Sequence, residues 1–472
     1  MNMNRRDAIK LGATSVIAAA AIGVTGCQKN TEVPSKQVAT MANGNVIGKH
    51  QVVVIGGGYG GLTVASELKK ENKDIDVLVI EKNETFMSCP GSNTYLGKLN
   101  GMTLDKFMFD YAQPVEKYGY SMLHAEVTNI DRSKKQVHTA KGVVEYDILV
   151  LSPGIAYDYE NQFPKWSKNK VEHIRRSAPG ALIPGGEHLA LDRLLANMDD
   201  GNVIITVPAG KYRCPPAPFE RACMIATFMK KEDIRGKVIL LNPSDKISKG
   251  AAFKESWKEL YGDMIEHVDF ATITDVDTDT KTVTFTHKEA LPIEDKDFDE
   301  PQFKTVEKRV SYSVLNLIPN NKANPVITMA GLEVTDDAFH KVVMNGCSFQ
   351  TKTDANVYAV GDVVGHAIPP SGQTANWAGK QCAKEVAAQL AGKKYALPVA
   401  KTPVSAGNVC YSMVGDNPEE GILVKHDFSW NGTVIAGKGY VPKDEASGKY
   451  RSRGTAKALR DWYRGITNDL FS

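Results

Sequence analysis

A chain of 472 residues is too long for one core and suits two or three domains, which excludes a small disulfide-stapled scaffold. With 57 basic against 55 acidic residues the net charge is +2, so no field of one sign is available to a polyanion and nucleic acid is set aside as a partner. Hydrophobic residues at 42% and charged residues at 24% are globular values that exclude a disordered chain and a polytopic membrane protein.

In chain order, Asn4-Arg5-Arg6-Asp7-Ala8-Ile9-Lys10 precedes an Ala/Gly-rich, weakly apolar run over residues 11–26, the pattern of a twin-arginine export signal. That run is too short and too little apolar to span a bilayer comfortably. Val24-Thr25-Gly26-Cys27 reads as a lipobox, in which Cys27 would become a lipid-anchored first residue. Residues 1–27 are therefore expected to be a signal and 28–49 a linker. The mature protein is expected in the periplasm, touching a membrane only through that anchor.

His50-Gln51-Val52-Val53-Val54-Ile55 predicts a buried strand, and Gly56-Gly57-Gly58-Tyr59-Gly60-Gly61 follows it directly before a helical pattern. Gly56 suits the tight turn, Gly58 lets the backbone approach a pyrophosphate, and Gly61 permits close helix packing. A second strand ends in Glu81, placed for the ribose hydroxyls of an adenosine. Two later strand-plus-glycine segments, Leu151-Ser152-Pro153-Gly154 and Val360-Gly361-Asp362, resemble the flavin signatures of two-dinucleotide-domain disulfide reductases. That resemblance implies FAD rather than NAD, with Asp362 on the ribityl chain and a helix over 372–391 aiming its N-terminus at the flavin. A strand over 202–207 is followed by Pro208-Ala209-Gly210-Lys211-Tyr212-Arg213-Cys214-Pro215-Pro216, which lacks GxGxxG and reads as a nicotinamide site without its ligand.

Thr85-Phe86-Met87-Ser88-Cys89, Tyr212-Arg213-Cys214-Pro215-Pro216-Ala217-Pro218-Phe219-Glu220-Arg221-Ala222, Asn316-Leu317-Ile318-Pro319 and Asn408-Val409-Cys410-Tyr411-Ser412 complete a resemblance to the flavoprotein subunit of flavocytochrome c sulfide dehydrogenase, within the sulfide:quinone oxidoreductase superfamily. The resemblance implies an α/β fold. An FAD domain would be made of 50–164 and 313–395, a degenerate NAD-type domain would occupy 165–312, and a C-terminal domain 396–472. It implies sulfide oxidation through a disulfide and FAD, with electrons passed to a c-type cytochrome subunit; the chain has no CxxCH of its own. Cys89 matches the cysteine that carries FAD covalently, Cys214 matches one half of the redox disulfide, and Glu220 matches a proton-moving acid near the flavin. The second half is expected at Cys347 despite a shifted register, with Cys214 acting alone or with Cys410 left open. Pro370 stands where the family usually has lysine.

Cys223, Cys382 and Cys410 otherwise read as small core residues, and no cysteine or histidine cluster has metal-ligand spacing. Ala456, Leu459, Trp462, Tyr463, Ile466 and Leu470 recur at helical spacing. Such a face serves either core docking or the membrane contact of a sulfide:quinone oxidoreductase. A third reading is a non-catalytic flavin electron-transfer or accessory subunit.

Overall fold

The β-branched run that ends at Ile55 forms strand Val46–Ile55, which begins inside the expected linker and is fully buried over its last four residues. It pairs in parallel with Val77–Glu81 on one side and Gly142–Leu151 on the other. Strand Ser121–His124 continues the sheet beyond Val77–Glu81, and Gln136–Thr139 and Val127–Asp131 continue it beyond Gly142–Leu151. The seventh strand, Val357–Ala359, arrives some 200 residues later in the chain and pairs in parallel with Gly142–Leu151. The computed structural model describes residues 44–290, 303–398 and 403–472, so the twin-arginine run, Cys27 and most of the linker lie outside the described residues.

Helices Tyr59–Glu71 and Gly372–Leu390 pack on each other against this sheet. They approach so closely that a Cβ at Gly379 would stand 2.8 Å from the Gly60 carbonyl oxygen. A second parallel sheet runs Ile265–Val268, Val238–Leu241, Val203–Thr206, Val314–Asn316, with helix Ala217–Lys231 following the Val203–Thr206 strand. The chain is thus α/β with two Rossmann-type sheets, as expected from the sequence.

Strands Pro403–Asp416, Glu419–Trp430 and Ile435–Tyr440 form an antiparallel sheet before the last helix, Arg453–Phe471. That helix buries Ala456, Leu459, Ile466 and Leu470 in the common core, with Trp462 and Tyr463 packed half-buried beside them. Phe471 stacks on Phe109 with ring centroids 4.8 Å apart. Its apolar stripe is therefore spent on the body, each buried aliphatic side chain contributing about 1.5–3 kcal/mol. Among the described residues no helix is long and apolar enough to cross a membrane.

Candidate functional site

Three glycines shape the first loop as the fingerprint requires. A Cβ at Gly56 would lie 2.1 Å from the Ser152 carbonyl oxygen, and one at Gly61 would lie 1.9 Å from that of Gly56, whereas Gly58 faces open space. The backbone can therefore be reached by a pyrophosphate at Gly58, where the helix Tyr59–Glu71 begins without a side-chain cap or an acidic first turn. Glu81 is buried at the strand end, accepting from Gly57 N at 2.7 Å and from Asn83 N at 2.8 Å. Gly154 (φ 72°) and Gly361 (φ 82°) hold left-handed turns beyond their strands. Asp362 follows in a short turn ahead of helix Gly372–Leu390. This set fits a flavin dinucleotide: an open glycine cradle, a strand-end carboxylate and a second carboxylate before a helix N-terminus.

The second strand–loop–helix unit is built differently. Cys214 takes a left-handed backbone (φ 53°), a conformation that costs a side-chain-bearing residue about 1 kcal/mol or more. Its N–H donates to the Pro370 carbonyl at 2.9 Å, and its own carbonyl accepts from Ala217 N at 2.8 Å. The proline that replaces the family lysine thus holds the cysteine loop through its backbone. Prolines 215, 216 and 218 supply no N–H, so the start of helix Ala217–Lys231 is poorly equipped to bind a phosphate.

The Cys214 thiol shares a hydrogen bond with Cys89 and feels Cys410 and Glu220 nearby. That bond, with the Arg213 and Arg221 guanidiniums, draws the Cys89 thiol below its ordinary range, and Cys214 is correspondingly raised. Glu220 is buried one helical turn on, accepting from Asn93 Nδ2 at 3.0 Å and from Met413 N at 2.8 Å. Burial raises its carboxyl above the usual range, opposed by the Asn93 bond and by Lys249. It is not a solvated helix-start charge. Arg213, expected beside Cys214, turns its Nε to within 3.7 Å of Asp362 and bonds toward Cys89.

Cys347 is not part of this cluster. It is buried in a separate loop, where its thiol donates to the Pro398 carbonyl at 3.6 Å and faces Glu385. The 15-residue offset from Asp362 is used by a turn that returns to the outer side of helix Gly372–Leu390, where Phe349 N binds Glu385 at 3.1 Å. Strand Pro403–Asp416 runs past helix Ala217–Lys231, setting Met413 N against Glu220 and bringing Cys410 near enough for Cys214 to feel its charge. Cys223 and Cys382 are fully buried in the core as expected. The six described cysteines are all unpaired.

Several residues of the site were assigned no role from the sequence, Arg221 among them although it lies in the Cys214 motif. Arg221 is buried, donating to the carbonyls of Gly180 and Ala181 and to Asn316 and Asn93 side chains. With Cys89, Arg213 and Asn93 it lines a small pocket that also receives His188. The His188 Nδ1 is buried without a partner, and burial together with the two arginines lowers the imidazole to about 3, so it is neutral. Lys341 is buried facing Asp362. It brings a positive charge toward Asp362 from a segment other than the one that carries Pro370. Lys249 lies beside Cys410 and donates to Ser412 Oγ at 2.8 Å. No run or spacing marks either lysine, since each is buried by tertiary packing alone. Among the described residues no group of three or more His, Cys, Asp or Glu could hold a metal.

Comparison with known proteins agrees with this geometry. Residues 50–177 match the model of pyridine nucleotide-disulphide oxidoreductases. Residues 188–294 match the central domain of the sulfide dehydrogenase [flavocytochrome c] flavoprotein chain, and 402–471 match the flavocytochrome c sulphide dehydrogenase flavin-binding domain. The Type II NADH:quinone oxidoreductase of Staphylococcus epidermidis is 34% identical over 110 residues, 22% of this chain and 26% of that protein. The chain thus spans about a quarter of the length of the curated relatives it matches. The sulfide:quinone oxidoreductase of Aquifex aeolicus superposes with a TM-score of 0.59 at 19% identity, covering 89% of this chain and 92% of that one. An NAD-dependent persulfide reductase from A. fulgidus gives a TM-score of 0.56 at 17% identity, covering 89% and 77%. Its central and C-terminal segments thus match domains of flavocytochrome c sulfide dehydrogenase flavoproteins, and its fold is that of the two-dinucleotide-domain flavoproteins.

Proposed function

We propose that this flavoprotein oxidises hydrosulfide at a Cys214–Cys410 pair and passes the electrons through FAD to a separate c-type cytochrome. The observation that carries the reading is the convergence of Cys214, Cys410 and buried Glu220 in the loop where a pyridine nucleotide would otherwise bind. In the oxidised state the two cysteines form a disulfide. Glu220 takes the proton as hydrogen sulfide is delivered, and hydrosulfide opens the disulfide to a persulfide and a thiolate. Sulfide sulfur is oxidised and the disulfide is reduced in that exchange, so no further oxidant is needed for it.

Gly56, Gly58, Gly61, Glu81, Gly154, Gly361 and Asp362 would hold the FAD, and Cys89 would carry it covalently. When bound, FAD supplies a two-electron acceptor that can release electrons singly, which is what a haem partner requires. The thiolate character of Cys89 supports attachment, since the thiolate is the nucleophilic form. Export by the twin-arginine run, with or without lipidation at Cys27, would place the protein with its cytochrome in the periplasm.

The quinone-reducing alternative loses the membrane-facing helix it relied on, because that apolar stripe is buried. The accessory reading rests on the displaced second cysteine and on Pro370 in place of lysine; a Cys214–Cys410 pair would remove the first of these grounds. Sulfide-dependent reduction of a c-type cytochrome by purified, flavin-loaded protein tests the function, and its absence with a competent acceptor overturns it. Acid precipitation tests attachment: flavin should stay with the pellet, and complete release to the supernatant contradicts Cys89.

A further inference from the structure

Lys249 ends the loop before helix Gly250–Leu260 in a left-handed conformation (φ 60°) and is 6% exposed. Burying an ammonium is costly unless an opposite charge or good acceptors compensate it. Here the acceptors are the Ser412 hydroxyl at 2.8 Å and the Cys410 thiol. Among the described residues Lys249 forms no salt bridge, and the Glu220 carboxyl feels its charge without pairing with it. The other titratable neighbour, His426, is pushed toward its neutral form by burial and by this lysine. A buried cation aimed at a sulfur and left without a carboxylate is positioned for a negative charge that exists only during reaction.

We propose that Lys249 receives the negative charge released on Cys410 when the disulfide opens, and so directs hydrosulfide onto Cys214. This rests on the Cys214–Cys410 pairing proposed above. In the step, the hydrosulfide sulfur bonds to Cys214 Sγ as the Cys214–Cys410 bond breaks, and the electron pair of that bond leaves on Cys410 Sγ beside the ammonium. The products are a hydropersulfide on Cys214 and a thiolate on Cys410. Opening in the other sense would place the thiolate on Cys214 rather than at the Lys249 hydrogen bond that Cys410 receives, while the Glu220 carboxyl acts on both cysteines.

The test uses oxidised, flavin-loaded protein. Peptide mapping without reductant first asks whether Cys214 and Cys410 are linked; if they are not, the pairing fails and this inference falls with it. Where they are linked, brief anaerobic exposure to sulfide and quenching with iodoacetamide should leave the extra sulfur on Cys214 and the plain alkyl group on Cys410. Extra sulfur found on Cys410 overturns the proposal while leaving the pairing intact, and this arm needs no variant. In fully reduced protein, Lys249→Met should slow alkylation of Cys410 at neutral pH by about tenfold or more, and leave Cys214 within about twofold. Lys249→Arg should restore most of the rate. An unchanged Cys410 rate in Lys249→Met, with the protein folded, contradicts the assignment.

Discussion

Two strand–loop–helix units in this chain share one architecture and do opposite things. After strand Val46–Ile55 the loop is stripped of side chains, so a phosphate can reach the backbone at Gly58. After strand Val203–Thr206 the loop carries Arg213, Cys214 and two prolines, and the backbone strain that glycine would relieve is borne by a cysteine instead. Because the βα turn aims whatever it carries at the crevice beyond the strand ends, the same unit can present amide dipoles or a sulfur. The contrast teaches that loss of a glycine fingerprint need not mean loss of a site.

The comparison can be broken first at its sulfur. Cys214→Ser should retain flavin and lose sulfide-dependent flavin bleaching by about a thousandfold or more, because it removes the sulfur that is attacked. Cys347→Ser should react within about twofold of the unmutated rate, since that thiol faces Pro398 and Glu385. Stopped-flow absorbance under anaerobic conditions reads both, and a slow Cys347→Ser variant would revive that residue as the partner. The glycine cradle is broken by Gly61→Ala, whose Cβ would stand 1.9 Å from the Gly56 carbonyl oxygen. Flavin incorporation should fall to a small fraction of that of the unmutated protein, read as the flavin-to-protein absorbance ratio after purification.

Glu220→Gln should slow sulfide-dependent bleaching by about a hundredfold. Burial raises this carboxyl, and the working form is the carboxylate, so the unmutated rate should fall as pH drops through its titration. The variant should lose that limb of the pH profile. The smallest expected effect is on stability, in the neighbourhood of Cys347. Burial lifts the Glu385 carboxyl from 4.5 to about 7, so the folded state favours its protonated form. Stability from this group is present below about pH 4.5 and is lost as pH rises through about 7, by up to about 3 kcal/mol. Glu385→Gln should flatten the change in melting temperature between those pH values, and an unaltered slope would count against a buried, protonated Glu385.

The first cradle was legible because its chemistry is local: strand, glycines, helix and the acid at Glu81 all lie within 31 residues in sequence. The Cys214 loop was equally legible as a site and as a lost nucleotide cradle. Its partner was not, since Cys410 reaches it on a strand nearly 200 residues away and spacing from Asp362 favoured Cys347. The apolar stripe of the last helix was visible in the sequence, but what covers it, chiefly strands Glu419–Trp430 and Pro403–Asp416, was not. Arg221 lies in the Cys214 segment but had no role read for it, and Lys249, Lys341 and His188 lie in segments without a motif, so only the packed fold brings them beside the cysteines and Asp362.

Under the proposed function the second unit handles sulfur in place of a pyridine nucleotide. Anaerobic mixing of one flavin-loaded sample with sulfide and of another with NADH tests it most directly. Sulfide should bleach the flavin rapidly and saturably, while NADH should reduce it no faster than it reduces free flavin. Rapid, saturable reduction by NADH with no response to sulfide would contradict the account.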